Sequence, residues 1–199
     1  MKNVYQIKIS LRDVKPVIWR RIQVSGEYTF WDLHVAIQDA MGWKDCHLHS
    51  FRINAKKGRK PVEIGIPETD GMSSVEIEAG WDSFIQDFIY EVGMSCEYDY
   101  DFGDGWQHIV LLEGILLPEK KEKYPRCTGG SRACPPEDFG GPFGYQELIN
   151  LFKKKKGKDY IRMREWLGYE LDPEAFNQDE VEFDDPGRRL DLLSEYLDY

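Results

Sequence analysis

The 199-residue chain carries 36 Asp and Glu against 26 Lys and Arg, a net charge of −10, with 41% apolar and 14% aromatic residues. This composition supplies the bulk for a packed core and excludes a disordered chain, while the acidic balance opposes encounter with a phosphate backbone. No window approaches the roughly 18 consecutive apolar residues of a spanning helix, and the first five residues hold no apolar signal core, so a cytoplasmic protein without membrane contact is expected.

In chain order, Tyr5, Ile7, Ile9 and Leu11 alternate with Gln6, Lys8 and Ser10, which predicts a half-buried strand over 4–11. Lys15-Pro16 interrupts it, and a second strand is predicted over 17–24 until Ser25-Gly26 breaks it. Thr29 then caps a helix, with Asp32 completing an acidic form of the capping box. Phe30, Leu33, Ile37, Ala40 and Met41 make one buried stripe, and Gly42 ends the helix. Residues 47–54 read as a third strand with His47, His49, Phe51 and Ile53 on one face. A basic hairpin-like stretch at 56–60 leads to a short run at 62–66, and 67–80 reads as irregular and acidic. A helix is predicted from Asp82 or Ser83 to Val92.

Cys96, Tyr98, Tyr100 and Phe102 alternate with Glu97, Asp99 and Asp101, Gly103-Asp104-Gly105 turns the chain, and 106–117 returns as a long strand. Residues 118–124 form a charged connector, and 125–144 is rich in Gly and Pro without periodicity. Helices are predicted at 145–156, at 159–167, and from Asp185-Pro186 to the C-terminus. Strands first and helices later indicate an α+β fold: a single mainly antiparallel sheet with packed helices and a helical C-terminal part over 145–199. The length fits one domain over 1–199.

The charge is unevenly placed. Residues 1–66 hold twelve Lys and Arg against six Asp and Glu, whereas 67–113 hold twelve Asp and Glu and no Lys or Arg. Pairing between these two blocks is expected. The four cysteines form no C-x-x-C pair, so reduced thiols are expected.

The words PVIWRRI, LHVAIQDAMGW, HLHSFRI, YDYDFGDGWQH and CTGGSRACPPEDFGGPFGY occur in that order. Together they resemble the plasmid Ri open-reading-frame-three-like family, whose members are also labelled TnpR-like passengers of an insertion element. The resemblance runs from about Tyr5 to the last helix. It implies an α+β domain carried on mobile elements, and it fixes a fold more than an activity. The Ser nucleophile and Arg cluster that a serine recombinase needs are not visible, so that chemistry is not expected.

All four histidines fall inside these words: His34, His47, His49 and His108. His47 and His49, with Cys127 or Cys134, have the atoms of a zinc site but not its spacing, so no such ion is expected. DYDFGDG looks like a calcium loop, yet its fifth and twelfth positions from Asp99 are Gly103 and Val110, which cannot ligate. Glu97 and Asp99 could hold magnesium, but pairing with Arg20, Arg21 or Arg52 is the simpler expectation. The stretch 127–144 lacks the ending of a phosphate-binding loop. It is expected to fold over the FGDGW turn, with Glu137 or Asp138 taking donors from His108, Arg20 or backbone N–H groups.

The binding or polar-network residues are therefore Arg20, His34, His47, His49, Asp101, Asp104, Trp106, His108, Glu137 and Asp138. No catalytic set, metal or cofactor is assigned. The expected function is a non-enzymatic binding or adaptor module accessory to a mobile element, with a protein or nucleic-acid partner; the alternative is a metal-dependent enzyme acting on nucleic acid. Oligomeric state is left open.

Overall fold

A computed structural model gives the structure of the protein and describes residues 2–54, 61–67 and 77–197. The basic stretch at 56–60 and most of the acidic run at 67–80 lie outside these residues. Eight strands form one sheet: β1 (Val4–Leu11), β2 (Trp19–Ser25), β3 (His49–Ile53), β4 (Val62–Gly65), β5 (Ile77–Ala79), β6 (Ser95–Tyr100), β7 (Trp106–Leu116) and β8 (Arg126–Ser131). Their order is β5-β4-β3-β6-β7-β1-β2-β8. Every neighbouring pair is antiparallel except β4 and β5.

Period-two alternation decides which face is covered. Tyr5, Ile7, Ile9 and Leu11 on β1, Tyr98 and Tyr100 on β6, and Trp106, His108, Val110 and Leu112 on β7 are all buried. Helix α1 (Phe30–Met41) belongs to the same core, contributing Phe30, Leu33, Ile37 and Met41 as its periodicity predicts. Truncating Phe30 to Ala would cost about 3–5 kcal/mol, the usual range for a fully buried ring. The cap matches the sequence: Thr29 Oγ accepts from Asp32 N–H at 3.2 Å, and Asp32 Oδ2 accepts from Thr29 N–H at 2.9 Å.

Trp31, His34, Val35 and Gln38 on the other faces of α1 are buried too. His34 and Gln38 reach Tyr98 of β6, whereas helix α5 (Pro186–Leu197) covers Trp31. Trp31 Nε1 donates to the Pro186 carbonyl at 2.8 Å, and Arg189 reaches Asp39 near the end of α1. The first helix thus lies between the sheet and the last helix.

The outer face of the sheet carries the charge pairing. Arg52 meets Glu97 and Asp99 at 3.1 Å each, Arg12 meets Glu97 at 3.1 Å, and Arg21 chelates Glu113. The basic first block therefore pairs with the acidic middle block. Glu97 and Asp99 are taken by arginines, which leaves them poorly disposed for magnesium. Arg20 departs from that expectation because it is buried on the core side.

Several elements differ from the sequence reading. Strand β8 lies within the stretch read as aperiodic and pairs with β2. Its glycines have a packing role: a Cβ on Gly130 would fall 2.3 Å from the Phe176 ring. Strand β5, three residues long, is too short to show alternation and falls in the segment read as irregular. The helix predicted from 82 or 83 to 92 shrinks to α2 (Ile85–Phe88). Backbone bonds explain this: Phe30 N–H donates to Ser83 and Ile85 N–H to the Tyr28 carbonyl, tying the segment to the start of α1. Strand β3 starts at His49, so His47 and His49 do not share a strand face. Helix α3 (Gly141–Lys154) begins four residues earlier than predicted, with Pro142 in its first turn, and α4 (Lys158–Leu167) follows. Between α4 and α5 the chain is irregular apart from a short turn at Gln178–Glu180, so the C-terminal part is helical only in pieces.

Candidate functional site

Two polar assemblies lie around the segment joining α1 to β3. The first is internal. Tyr98 Oη accepts from Gln38 Nε2 at 3.0 Å and lies 2.8 Å from His34 Nδ1, while His34 Nε2 lies 2.7 Å from Asp45 Oδ1. A consistent proton inventory has Tyr98 donating to Nδ1 and Nε2–H donating to the carboxylate. Asp45 in turn faces Arg189 at 3.8 Å. Burial pushes the Asp45 carboxyl up, but the bond from His34 together with Arg189 outweighs it and holds the carboxyl below its ordinary range.

His49 stacks on His34 with ring centroids 3.4 Å apart and planes 6° from parallel. Burial, and secondarily the neighbouring His34, hold His49 well below the ordinary histidine range. Tyr98, His34 and Asp45 follow the order of a nucleophile, base and orienting acid, but the hydroxyl is fully buried and capped by Gln38. The hydroxyl is thus closed to solvent.

The second assembly opens to solvent. The PPED loop reaches the FGDGW turn through Gly140 N–H, which donates to Asp104 Oδ2 at 2.9 Å. Gly141 approaches the same turn so closely that a Cβ would lie 2.3 Å from the Asp104 carbonyl oxygen. Glu137 accepts from Lys44 N–H at 2.8 Å and from Tyr100 Oη at 3.2 Å. Burial, helped by the Glu137 charge and bond, outweighs the N–H that Cys46 donates and leaves the Tyr100 phenol far above its ordinary range.

Asp101 follows β6 with φ 54°, a left-handed backbone that Asp tolerates better than most residues. Its Oδ1 accepts from Gly103 and Asp104 N–H at 3.0 and 3.2 Å, and its Oδ2 faces His47 Nε2 at 3.6 Å. Asp138, also left-handed, brings Oδ1 to 3.0 Å from the same nitrogen. These three ligand atoms lie within 4.8 Å of one another. The surroundings are acidic: burial raises the Cys46 thiol, and Glu137, Asp138 and Asp45 raise it further.

Beside this corner lies a cleft of ≈ 960 Å³ between the 43–48 segment and α5, with Trp31, Trp43, Leu48, Ile66, Leu192 and Leu193 in its walls. Lys44, Asp45, Cys46, His47, Asp184 and Arg189 supply its polar groups. Leu48 and Leu192 are more than half exposed.

The sequence-predicted residues thus divide into separate groups. His47, Asp101 and Asp138 meet, with Asp104 and Glu137 beside them. His34 and His49 stack in the core. Trp106 and His108 are neighbours as period two requires, joined through Trp43 at 6.0 and 5.3 Å. His108 does not supply the loop; its Nδ1 donates to the Tyr98 carbonyl at 3.2 Å. Arg20 does not supply it either. Its guanidinium donates to the Ala40, Trp19 and Ser131 carbonyls, and the Phe176 ring covers it at 3.9 Å. Glu137 takes its donors from Lys44 N–H and Tyr100 Oη, and Trp43 Nε1 donates to the Pro135 carbonyl at 3.0 Å. Trp43, Asp45, Tyr98, Tyr100 and Arg189 were missed. The two tyrosines read as apolar face residues, and their hydroxyls gave no separate signal.

A family model described as plasmid pRiA4b ORF-3-like protein matches residues 3–180. The chain belongs to this family. Similar to it is an uncharacterised protein, y4hQ, of Sinorhizobium fredii, 32% identical over 166 residues, which are 83% of this chain and 81% of that protein. The crystal structure of MM3350 from Methanosarcina mazei Go1, a protein of unknown function, superposes with a TM-score of 0.82 at 39% identity. It covers 92% of this chain and 99% of the other. This plasmid ORF-3-like chain therefore shares its architecture with an archaeal relative. Among the described residues, no helix is long and apolar enough to cross a membrane.

Proposed function

We propose that this plasmid ORF-3-like domain is a non-enzymatic binding module that takes a basic, apolar-faced segment of a protein partner into the cleft beside α5. The observation that carries this reading is the combination of exposed Leu48 and Leu192 at one opening with the acidic corner of Asp101, Asp104, Glu137 and Asp138 beside it. Asp45 and Asp184 are already paired with Arg189. Apolar walls provide the area, and acidic groups select a cationic partner over an anionic one. The net charge of −10 disfavours nucleic acid as that partner. The family's plasmid setting suits a partner encoded by the same mobile element.

Selection from a displayed peptide library tests this. Enrichment of segments that combine Lys or Arg with bulky apolar residues is expected, with binding lost in Leu192→Glu, whose site is exposed enough to leave the fold intact. No enrichment, or binding indifferent to Leu192→Glu, would overturn it. The second reading, a metal-dependent enzyme on nucleic acid, draws on the His47–Asp101–Asp138 grouping. Cleavage of labelled DNA or RNA with added Mn²⁺ would favour that reading.

A further inference from the structure

We infer that His47, Asp101 and Asp138 form a binding site for one divalent transition-metal ion, with Zn²⁺ as its best-matched occupant. The inference concerns the cation alone and stands whether or not the cleft takes a polypeptide.

Three observations converge. The first is spacing. Oxygens at 3.0 and 3.6 Å from His47 Nε2 bracket the edge, about 3.3 Å, of a tetrahedron with bonds of about 2.0–2.1 Å. The second is an unmet atom. His47 Nε2 is buried and makes no hydrogen bond, although a carboxylate oxygen lies 3.0 Å away. Groups that share an ion point at the ion rather than at one another, so close approach without hydrogen-bond alignment is the expected geometry. The third is preorganisation. Asp101 is more than nine-tenths buried, and its Oδ1 is fixed by two turn N–H groups. That leaves Oδ2 aimed at His47, as a ligating carboxylate is normally oriented by outer bonds.

One imidazole and two carboxylates make a borderline donor set, which favours Zn²⁺ over Mn²⁺ and both over Mg²⁺. Asp138 is largely exposed, so further coordination positions face solvent. The ion would clamp three separate segments: the lead into β3, the end of β6 and the PPED loop.

Calorimetric titration of the chelator-treated full chain with Zn²⁺, Mn²⁺ and Mg²⁺ tests the site. One equivalent of Zn²⁺ should bind, and Asp138→Asn and His47→Gln should each weaken it about tenfold or more. Cys46→Ser should leave binding unchanged, and Zn²⁺ should raise the thermal midpoint of the wild-type chain. Asp138→Asn lies on the surface and decides the matter even if His47→Gln fails to fold. Absence of Zn²⁺ binding, binding retained in Asp138→Asn, loss in Cys46→Ser, or tighter binding of Mg²⁺ than Zn²⁺ would each overturn the assignment.

Discussion

His108 should make the protein acid-labile in a window set by its burial. Its ring is enclosed by Trp43 and Tyr98 at centroid distances of 5.3 and 5.4 Å. Nδ1 donates to a carbonyl, which accepts only, and Nε2 is buried without a partner. The neutral ring fits this site and the cation does not. Desolvation lowers its pKa to about 4 against an ordinary 6.5, despite opposing help from the Tyr98 and Trp106 backbone. Because the folded value is depressed, the unfolded chain binds more protons below the unfolded pKa. The stabilisation is therefore complete above pH 6.5 and is lost as pH falls toward 4. The full shift corresponds to roughly 3 kcal/mol, with about 2 kcal/mol already gone near pH 5. His49, also depressed, adds loss of the same sign. Urea unfolding from about pH 7 to about pH 4 measures the slope, and His108→Gln should reduce it by close to one proton. An identical slope in wild type and variant would refute the argument, whatever the variant's absolute stability.

Three further outcomes test the fold around the site. Gly141→Ala should be clearly more destabilising than Gly140→Ala in thermal melts. Both have left-handed φ, at about 1–2 kcal/mol, but only Gly141 would also press a Cβ against the Asp104 carbonyl. Glu137→Ala should cost about 1–2 kcal/mol by leaving the half-buried Tyr100 hydroxyl proton without its acceptor and handing Lys44 N–H to water, whereas exposed Asp138→Ala should cost less than about 1 kcal/mol in metal-free buffer. Arg189→Ala should cost about 2 kcal/mol, below the ~3–5 of a fully buried pair, and hydrogen exchange should quicken in α5 ahead of the sheet.

Legibility followed the length of the pattern. Strands β1, β6 and β7 and helix α1 run for enough residues to repeat their period, and each appears where its alternation or stripe places it. Strand β5 has three residues and β8 is held by pairing with β2 across glycines, so neither had a pattern to show. The His47 corner was half legible. Each residue stood out as a member of a motif, but their meeting depends on the chain leaving β6 at Asp101 and on a loop 37 residues further on. Sequence spacing carries no trace of that meeting.

The charge distribution links the fold to both proposals. Among the acidic residues of the middle block, Glu97, Asp99 and Glu113 lie against Arg12, Arg52 and Arg21 on the outer face of the sheet. Past the end of β6 the partners change: Asp101 and Asp104 are met by backbone N–H groups of the turn and of Gly140. Backbone dipoles orient a carboxylate but carry no net charge to cancel it. The PPED loop then adds Glu137 and Asp138 to the same corner, with Lys44 as the nearby cation that partly offsets them. Negative potential therefore concentrates at the mouth of the cleft, and His47 sits within it. A small hard-to-displace cation and a basic polypeptide answer that potential at different ranges: the ion through bonds of about 2 Å, the polypeptide through a field screened over about 8 Å at physiological salt. Raising salt should therefore weaken peptide capture steeply while leaving Zn²⁺ stoichiometry unchanged. Equal salt sensitivity of the two would mean that the ion is held only as a diffuse counterion.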